Sequence, residues 1–105
     1  MDKTFFALSH PVRRTLLERL AASDLSVGEA ARGLAESPSQ ITKHLRILEQ
    51  AGLLARHREG RVHRLHFEPA PLAEAFDWVA RHRDFWRTRF DALDAYLNRM
   101  EATDD

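Results

Sequence analysis

The sequence predicts a mainly α-helical fold that carries one small β-hairpin. Three observations support that expectation. Apolar residues recur at helical spacing in four stretches before Gly52 and in one long stretch after Pro71. Two of those stretches open on a serine with Glu or Gln three residues later, the signature of a capping box. Between Leu53 and Phe67 the period changes to two, with Glu59-Gly60 midway as a turn.

The 105 residues suit a single domain, 1–105. At 44% hydrophobic and 30% charged, the composition is that of a globular chain. A chain this short buries little core, so a subunit interface is expected. No run approaches the ~18 apolar residues of a membrane span. No signal-peptide pattern is seen either, so a cytoplasmic protein with no membrane partner is expected. The absence of cysteine excludes a disulfide, a thiolate metal site and a thiol redox switch.

Net charge is zero, but it is unevenly spread. Residues 1–34 hold five Lys/Arg against four Asp/Glu, and residues 35–67 hold six against three. Residues 68–105 hold five against nine. The middle third also has four of the six histidines. A phosphate backbone responds to that local excess rather than to the sum.

Taken in order, residues 2–8 read as a short helix with Phe5, Phe6 and Leu8 on its apolar side. Ser9-His10-Pro11 breaks it, and Pro11 starts a second helix that runs to about Ala22. Val12, Leu16, Leu17 and Leu20 form its core stripe, with Arg13, Arg14 and Arg19 outside. Leu25 has room for one or two residues of strand. The box Ser26 to Glu29 then opens a third helix, expected to reach about Ala35, with Val27, Ala30, Ala31 and Leu34 inward.

The fourth helix has the strongest end signals. Ser37 is its N-cap, Gln40 its capping-box partner, and Pro38 sits at the first helical position. Gly52 stands one step past the end, where a left-handed residue is wanted. Ile41, Leu45 and Leu48 form the buried stripe. At ~100° per residue the opposite face carries Ser39, Lys43, Arg46 and Gln50, flanked by Gln40 and Thr42. Such a face of hydrogen-bonding groups and two cations suits edge-reading in a DNA major groove. Two short helices joined by a tight turn, the second better capped and more basic, make a helix-turn-helix over about 26–52.

The hairpin over about 53–67 follows directly. Closing it at Glu59-Gly60 sets Arg58 opposite Arg61, Arg56 opposite His63 and Leu54 opposite Leu65. Like charges paired across a strand repel, and a polyanion would neutralise them. A basic hairpin straight after a helix-turn-helix is a winged helix, with helix order α–α–α–α–β–β–α. The expected DNA-binding residues are Ser39, Gln40, Thr42, Lys43, His44 and Arg46 on the helix, with Arg56, Arg58 and Arg61 on the wing. Gln40 suits bidentate contact with adenine. His44 lies at the edge of the core stripe, where it either packs or reaches a phosphate.

The last helix is expected over about 71–100, roughly 45 Å long at 1.5 Å per residue. Leu72, Phe76, Val79, Arg83, Trp86, Phe90, Leu93, Leu97 and Met100 form a heptad seam with one charged member. Ala75, Trp78, Phe85, Ala92 and Tyr96 form a second line beside it. One small domain cannot bury both lines, so a homodimer is expected. Its interface takes Phe5, Phe6, Leu72, Phe76, Val79, Trp86, Phe90, Leu93 and Leu97.

These pieces resemble the ArsR/SmtB family of bacterial winged-helix repressors. The resemblance lies in Ala7 to Leu17, in Leu25-Ser26-Val27-Gly28-Glu29, in Ser39 to Leu53, and in the wing Arg58-Glu59-Gly60-Arg61. It covers about residues 2–100. It implies a homodimer through the first and last helices, with the fourth helix in the major groove. It also implies a repressor of its own operon that leaves DNA when a ligand binds. The family's metal sensors place a Cys-x-Cys motif on the third helix, or Asp, His and Glu ligands on the last. Here the first place has no thiol, and His82 is the one histidine of the last helix. The chain therefore resembles a cysteine-free branch outside the metal sensors, and neither a metal nor another cofactor is expected. His57, His63 and His66 would supply wing charge instead, since His63 lies on the opposite face from the other two.

The expected function is sequence-specific binding of double-stranded promoter DNA at an imperfect inverted repeat, under an unidentified small-molecule effector. The competing class is a protein-interaction module that uses the acidic last helix. An enzyme is not expected: no nucleophile–base pair stands at motif spacing, and there is no Gly-rich phosphate loop.

Overall fold

The computed structural model describes residues 1–103. Its elements are α1 (Asp2–Leu8), α2 (Pro11–Ala22), β1 (Leu25–Ser26), α3 (Val27–Ala30), α4 (Pro38–Gln50), β2 (Leu54–Glu59), β3 (Val62–Phe67) and α5 (Ala70–Thr103). The chain divides into two compact units, the first ending at Ala75 and the second beginning at Phe76.

The first unit is built around leucines. Leu16 and Leu20 of α2, Leu45 and Leu48 of α4, Leu53, and Leu65 of β3 are fully buried together. Each such side chain contributes about 1.5–3 kcal/mol relative to an exposed one. The three strands form one antiparallel sheet in the order β1-β3-β2, and Leu25 pairs with Leu65.

Local chemistry sets the helix ends. His10 caps α2 by accepting the Val12 N–H at Nδ1, 3.1 Å away. Ser26 and Glu29 close a complete capping box on α3. The hydrogen bond from the Ser26 backbone holds the Glu29 carboxyl below its ordinary value. Arg19 Nη1 donates to the carbonyls of Ala30 and Arg32 at 2.8 and 2.7 Å, tying the turn after α3 to α2.

Three expectations are corrected. The third helix ends at Ala30, not Ala35: beyond it the Arg32 and Leu34 N–H groups bond three residues back, to Glu29 and Ala31, and Gly33 takes φ +79°, outside the helical range. Arg13 lies inside the core stripe, 6% exposed, rather than outside it. The hairpin closes at Gly60-Arg61, one residue later than expected. Gly60 takes φ +61° as the first central residue, the glycine-first pattern of a type II′ turn. Arg58 therefore opposes His63, Arg56 opposes Leu65 and Leu54 opposes Phe67. That register separates Arg58 from Arg61 across the ladder and brings Arg64 within 3.6 Å of Glu59.

The second unit, as far as Thr103, is the part of α5 that begins at Phe76. Phe76, Val79, Trp86, Phe90, Leu93 and Leu97 are all exposed along it, Phe76 at 75% and Phe90 at 62%. Phe85 packs edge-on against Trp86, and the Arg89 guanidinium stands 4.3 Å over the Phe85 ring.

Candidate nucleic-acid interface

Helix α4 is held by its ends and by one face. Ser37 Oγ accepts the Gln40 N–H at 3.3 Å, and Gln40 Oε1 accepts the Ser37 N–H at 2.9 Å. Pro38 occupies the first turn, and Gly52, φ +74°, leads the chain away toward β2. Ile41, Leu45 and Leu48 bury the inner stripe. Ser39, Gln40, Thr42, Lys43 and Arg46 all stand exposed on the outside.

The hydrogen bonds refine what these side chains offer. Gln40 commits its oxygen to the cap, and only its amide N–H groups remain outward. Bidentate reading of adenine needs both atoms. Thr42 Oγ1 donates to the Pro38 carbonyl at 2.9 Å, which leaves its lone pairs to accept. Ser39 Oγ lies 3.2 Å from Ser37 Oγ.

His44 is turned inward. Its Nδ1 lies 3.2 Å from Arg13 Nη1, and its ring centroid is 4.5 Å from that of His10. Arg13 also donates through Nε to the Ala7 carbonyl at 2.8 Å and through Nη2 to the Phe6 carbonyl at 3.0 Å. Desolvation lowers the pKa of His44, and the nearby His10 and Arg13 charges act in the same direction. The sequence reading missed Arg13. Its spacing to Leu16, Leu17 and Leu20 is i, i+3, i+4, i+7, which is the signal that would have placed it on the buried stripe.

On the wing, Arg58 and Arg61 are exposed at the tip. Arg58 Nε donates to the Gly60 carbonyl at 3.1 Å, which steadies the turn. Arg56 is half-buried and pairs with Glu49 at 3.2 Å, so it joins the wing base to the end of α4. Arg64, absent from the expected set, spans Glu59 and Glu29 at 3.6 and 4.0 Å. His66 Nδ1 meets Asp24 Oδ1 at 2.7 Å, and that hydrogen bond raises the His66 pKa above its ordinary value. His82 Nδ1 stands 2.8 Å from the Trp78 carbonyl, its ring stacked on the indole. Among the described residues no three His, Asp or Glu side chains converge on a point where a metal ion would sit.

Of the residues expected at a subunit interface, Leu72 alone packs on the core of the first unit. It closes one side of an open apolar cleft of about 230 Å³ with Leu8, Leu17, Ala21 and Phe67. Phe5 and Phe6 are exposed on α1. No helix among the described residues is long and apolar enough to cross a membrane.

Comparison with known proteins gives this geometry a family. The helix-turn-helix domain family matches residues 8–57. The transcriptional repressor SdpR of Bacillus subtilis (strain 168) is 32% identical over 79 residues, covering 75% of this chain and 88% of its own. The HTH-type transcriptional regulator Rv2034 of Mycobacterium tuberculosis is 34% identical over 104 residues, 99% of this chain and 92% of its own. A crystal structure of an ArsR family transcriptional regulator superposes with a TM-score of 0.76 at 30% identity, covering 82% of this chain and 89% of that one. Likeness at this level through nearly the whole chain reaches past a shared architecture, and the chain belongs to the ArsR family of winged helix-turn-helix transcriptional regulators.

Proposed function

We propose that the chain acts as a homodimeric repressor that reads a two-fold site in promoter DNA, its own promoter included, and is released by a small-molecule effector. The observation that carries this reading is the exposed polar face of α4 beside a cationic wing tip. Ser39, Thr42, Lys43 and Arg46 point outward, and Arg58 and Arg61 extend the positive surface. In this reading α4 enters the major groove and the wing follows the phosphates. Gln40 contributes its amide as a donor, toward guanine O6/N7 or thymine O4. His44 and Arg56 act behind that surface, through Arg13 and Glu49, more than on the DNA itself.

The dimer reading rests on α5. Its seam of exposed apolar side chains continues for the length of the second unit, more than a solvated helix needs. The helix-turn-helix over 26–52, the wing over 53–67 and a dimerisation helix over 71–100 form the working arrangement. The protein works by binding rather than catalysis, in the compartment that holds the DNA. Relatives named as a repressor and a regulator support both statements.

The test is a gel shift with the DNA upstream of its own coding sequence. Wild type should shift it, Lys43→Ala should weaken the shift, and Arg58→Ala/Arg61→Ala should weaken it further. Losing two phosphate contacts in each protomer, four in the dimer, should reduce the slope of log affinity against log salt by about 3.6. No shift at low salt, or a shift indifferent to all three substitutions, would refute the reading.

A further inference from the structure

We propose that Arg13 is a positioning residue for the reading helix: it ties α4 to the corner between α1 and α2 through His44, and the tie is released when the His44 ring takes up a proton. The inference rests on the reading of α4 as the DNA-contacting helix and adds a control to it.

The geometry of Arg13 carries the argument. Arg13 is 6% exposed, and its guanidinium faces no carboxylate among the described contacts. Its donors are spent on the carbonyls that end α1, Ala7 at 2.8 Å and Phe6 at 3.0 Å, and on Ser9 Oγ at 3.4 Å. Terminal carbonyls of a helix lack intrahelical partners and carry partial negative charge, so a buried cation there is compensated. The remaining donor, Nη1, lies 3.2 Å from His44 Nδ1. Arginine can only donate, so this contact is a hydrogen bond only while Nδ1 is bare and the ring proton sits on Nε2. The ring is then neutral. A second proton would go onto Nδ1, set one N–H against another and place two cations side by side.

The surroundings make that protonation a local event. The charges that act on His44 are His10 and Arg13 at the start of α2, which oppose its protonation, and Glu36 before α4, which favours it. From α1 and from β2, the other elements packed on α4, no charge acts on the ring. His10 cannot take over as acceptor, because its Nδ1 already holds the Val12 N–H. Burial holds the His44 pKa below its ordinary value, so the tie is intact at neutral pH and gives way on acidification. His44 sits one residue after Lys43 and two before Arg46, so movement there displaces the reading face directly. The same guanidinium stands 5.2 Å over the Phe6 ring, which joins the reading helix to the face of α1 proposed to meet the second copy.

The experiment measures binding to a duplex of the DNA upstream of its own coding sequence, by fluorescence anisotropy, for wild type, Arg13→Lys and His44→Gln. Glutamine offers an acceptor that does not titrate. From about pH 8 to about pH 5, wild-type affinity should fall severalfold relative to that of His44→Gln, whose own profile lacks this component. Both proteins carry the same wing histidines and His10, so their difference isolates residue 44. Arg13→Lys keeps the charge without the fork of donors and should bind about tenfold more weakly at pH 8. Parallel pH profiles for wild type and His44→Gln would overturn the proposal. Amide hydrogen exchange, which needs no DNA, supplies the second arm. Arg13→Lys should speed exchange in residues 41–46 more than in β3. Uniform acceleration, or none, would overturn the tie. If wild type fails to bind the duplex while exchange in 41–46 responds as expected, the DNA reading fails and the tie stands.

Discussion

The capping box at the start of α4 gives a stability prediction that can be worked from two distances. Ser37 Oγ holds the Gln40 N–H at 3.3 Å, and Gln40 Oε1 holds the Ser37 N–H at 2.9 Å. Ser37→Ala leaves the Gln40 N–H without its acceptor and should cost about 1 kcal/mol. Gln40→Ala frees the Ser37 N–H at an exposed position where water replaces the lost acceptor, so about 0.5 kcal/mol is expected. Each side chain bonds the other residue's backbone, which neither substitution removes. The double variant should therefore lose about 1.5 kcal/mol, additive to within about 0.5. For a domain of this size a loss of 1 kcal/mol lowers Tm by about 4–8 °C. The assay is urea unfolding followed by circular dichroism at fixed protomer concentration, because the proposed dimerisation would make apparent stability concentration-dependent. A Ser37→Ala cost below about 0.3 kcal/mol would show that the cap does not hold the helix start and would refute the reasoning. So would a coupling energy above about 1 kcal/mol, since it would require the two side chains to depend on each other.

Three further outcomes are expected. Leu45→Ala, at a position 1% exposed beneath the outward face of α4, should lose about 2–5 kcal/mol in thermal or urea unfolding, because the surrounding leucines cannot collapse into the space. Asp24→Asn should bring the His66 titration, followed by NMR, back down toward its ordinary value. The raised folded pKa means the pair stabilises below about pH 6.5 and loses that contribution as pH rises through the folded value. Phe90→Glu/Leu97→Glu should convert a dimer to monomer in light scattering, with the α-helical content of the first unit retained; a wild-type monomer would refute the subunit role of the seam.

The fold was legible in the sequence because its signals are local. Ser37, Pro38, Gln40 and Gly52 bound α4 through contacts that span at most four residues, and the structure repeats them. The outward face followed from phase alone once Ile41, Leu45 and Leu48 were fixed as the inner stripe. The wing was legible as a hairpin but its register was not. A glycine can serve either central position of a two-residue turn, and the choice fell to packing, with Leu65 buried against Leu25 and Phe67 against the core. That shift of partners changed which charges meet at the tip.

Arg13 marks the other limit of residue order. Composition and spacing treat an arginine as a solvated charge, and its helical phase with Leu16 and Leu20 was the one hint of burial. Only in three dimensions do the Ala7 and Phe6 carbonyls at the end of α1 come near enough to compensate it. His44 is similar: its place at the edge of the stripe allowed either packing or phosphate contact, and the guanidinium from thirty-one residues away decided which nitrogen faces inward. Whatever a helix cap or a heptad phase sets within a few residues, the order of residues determined. Where two buried polar groups must find each other across the core, the balance between desolvation and hydrogen bonding depends on what the fold brings beside them, and only the tertiary structure decided it.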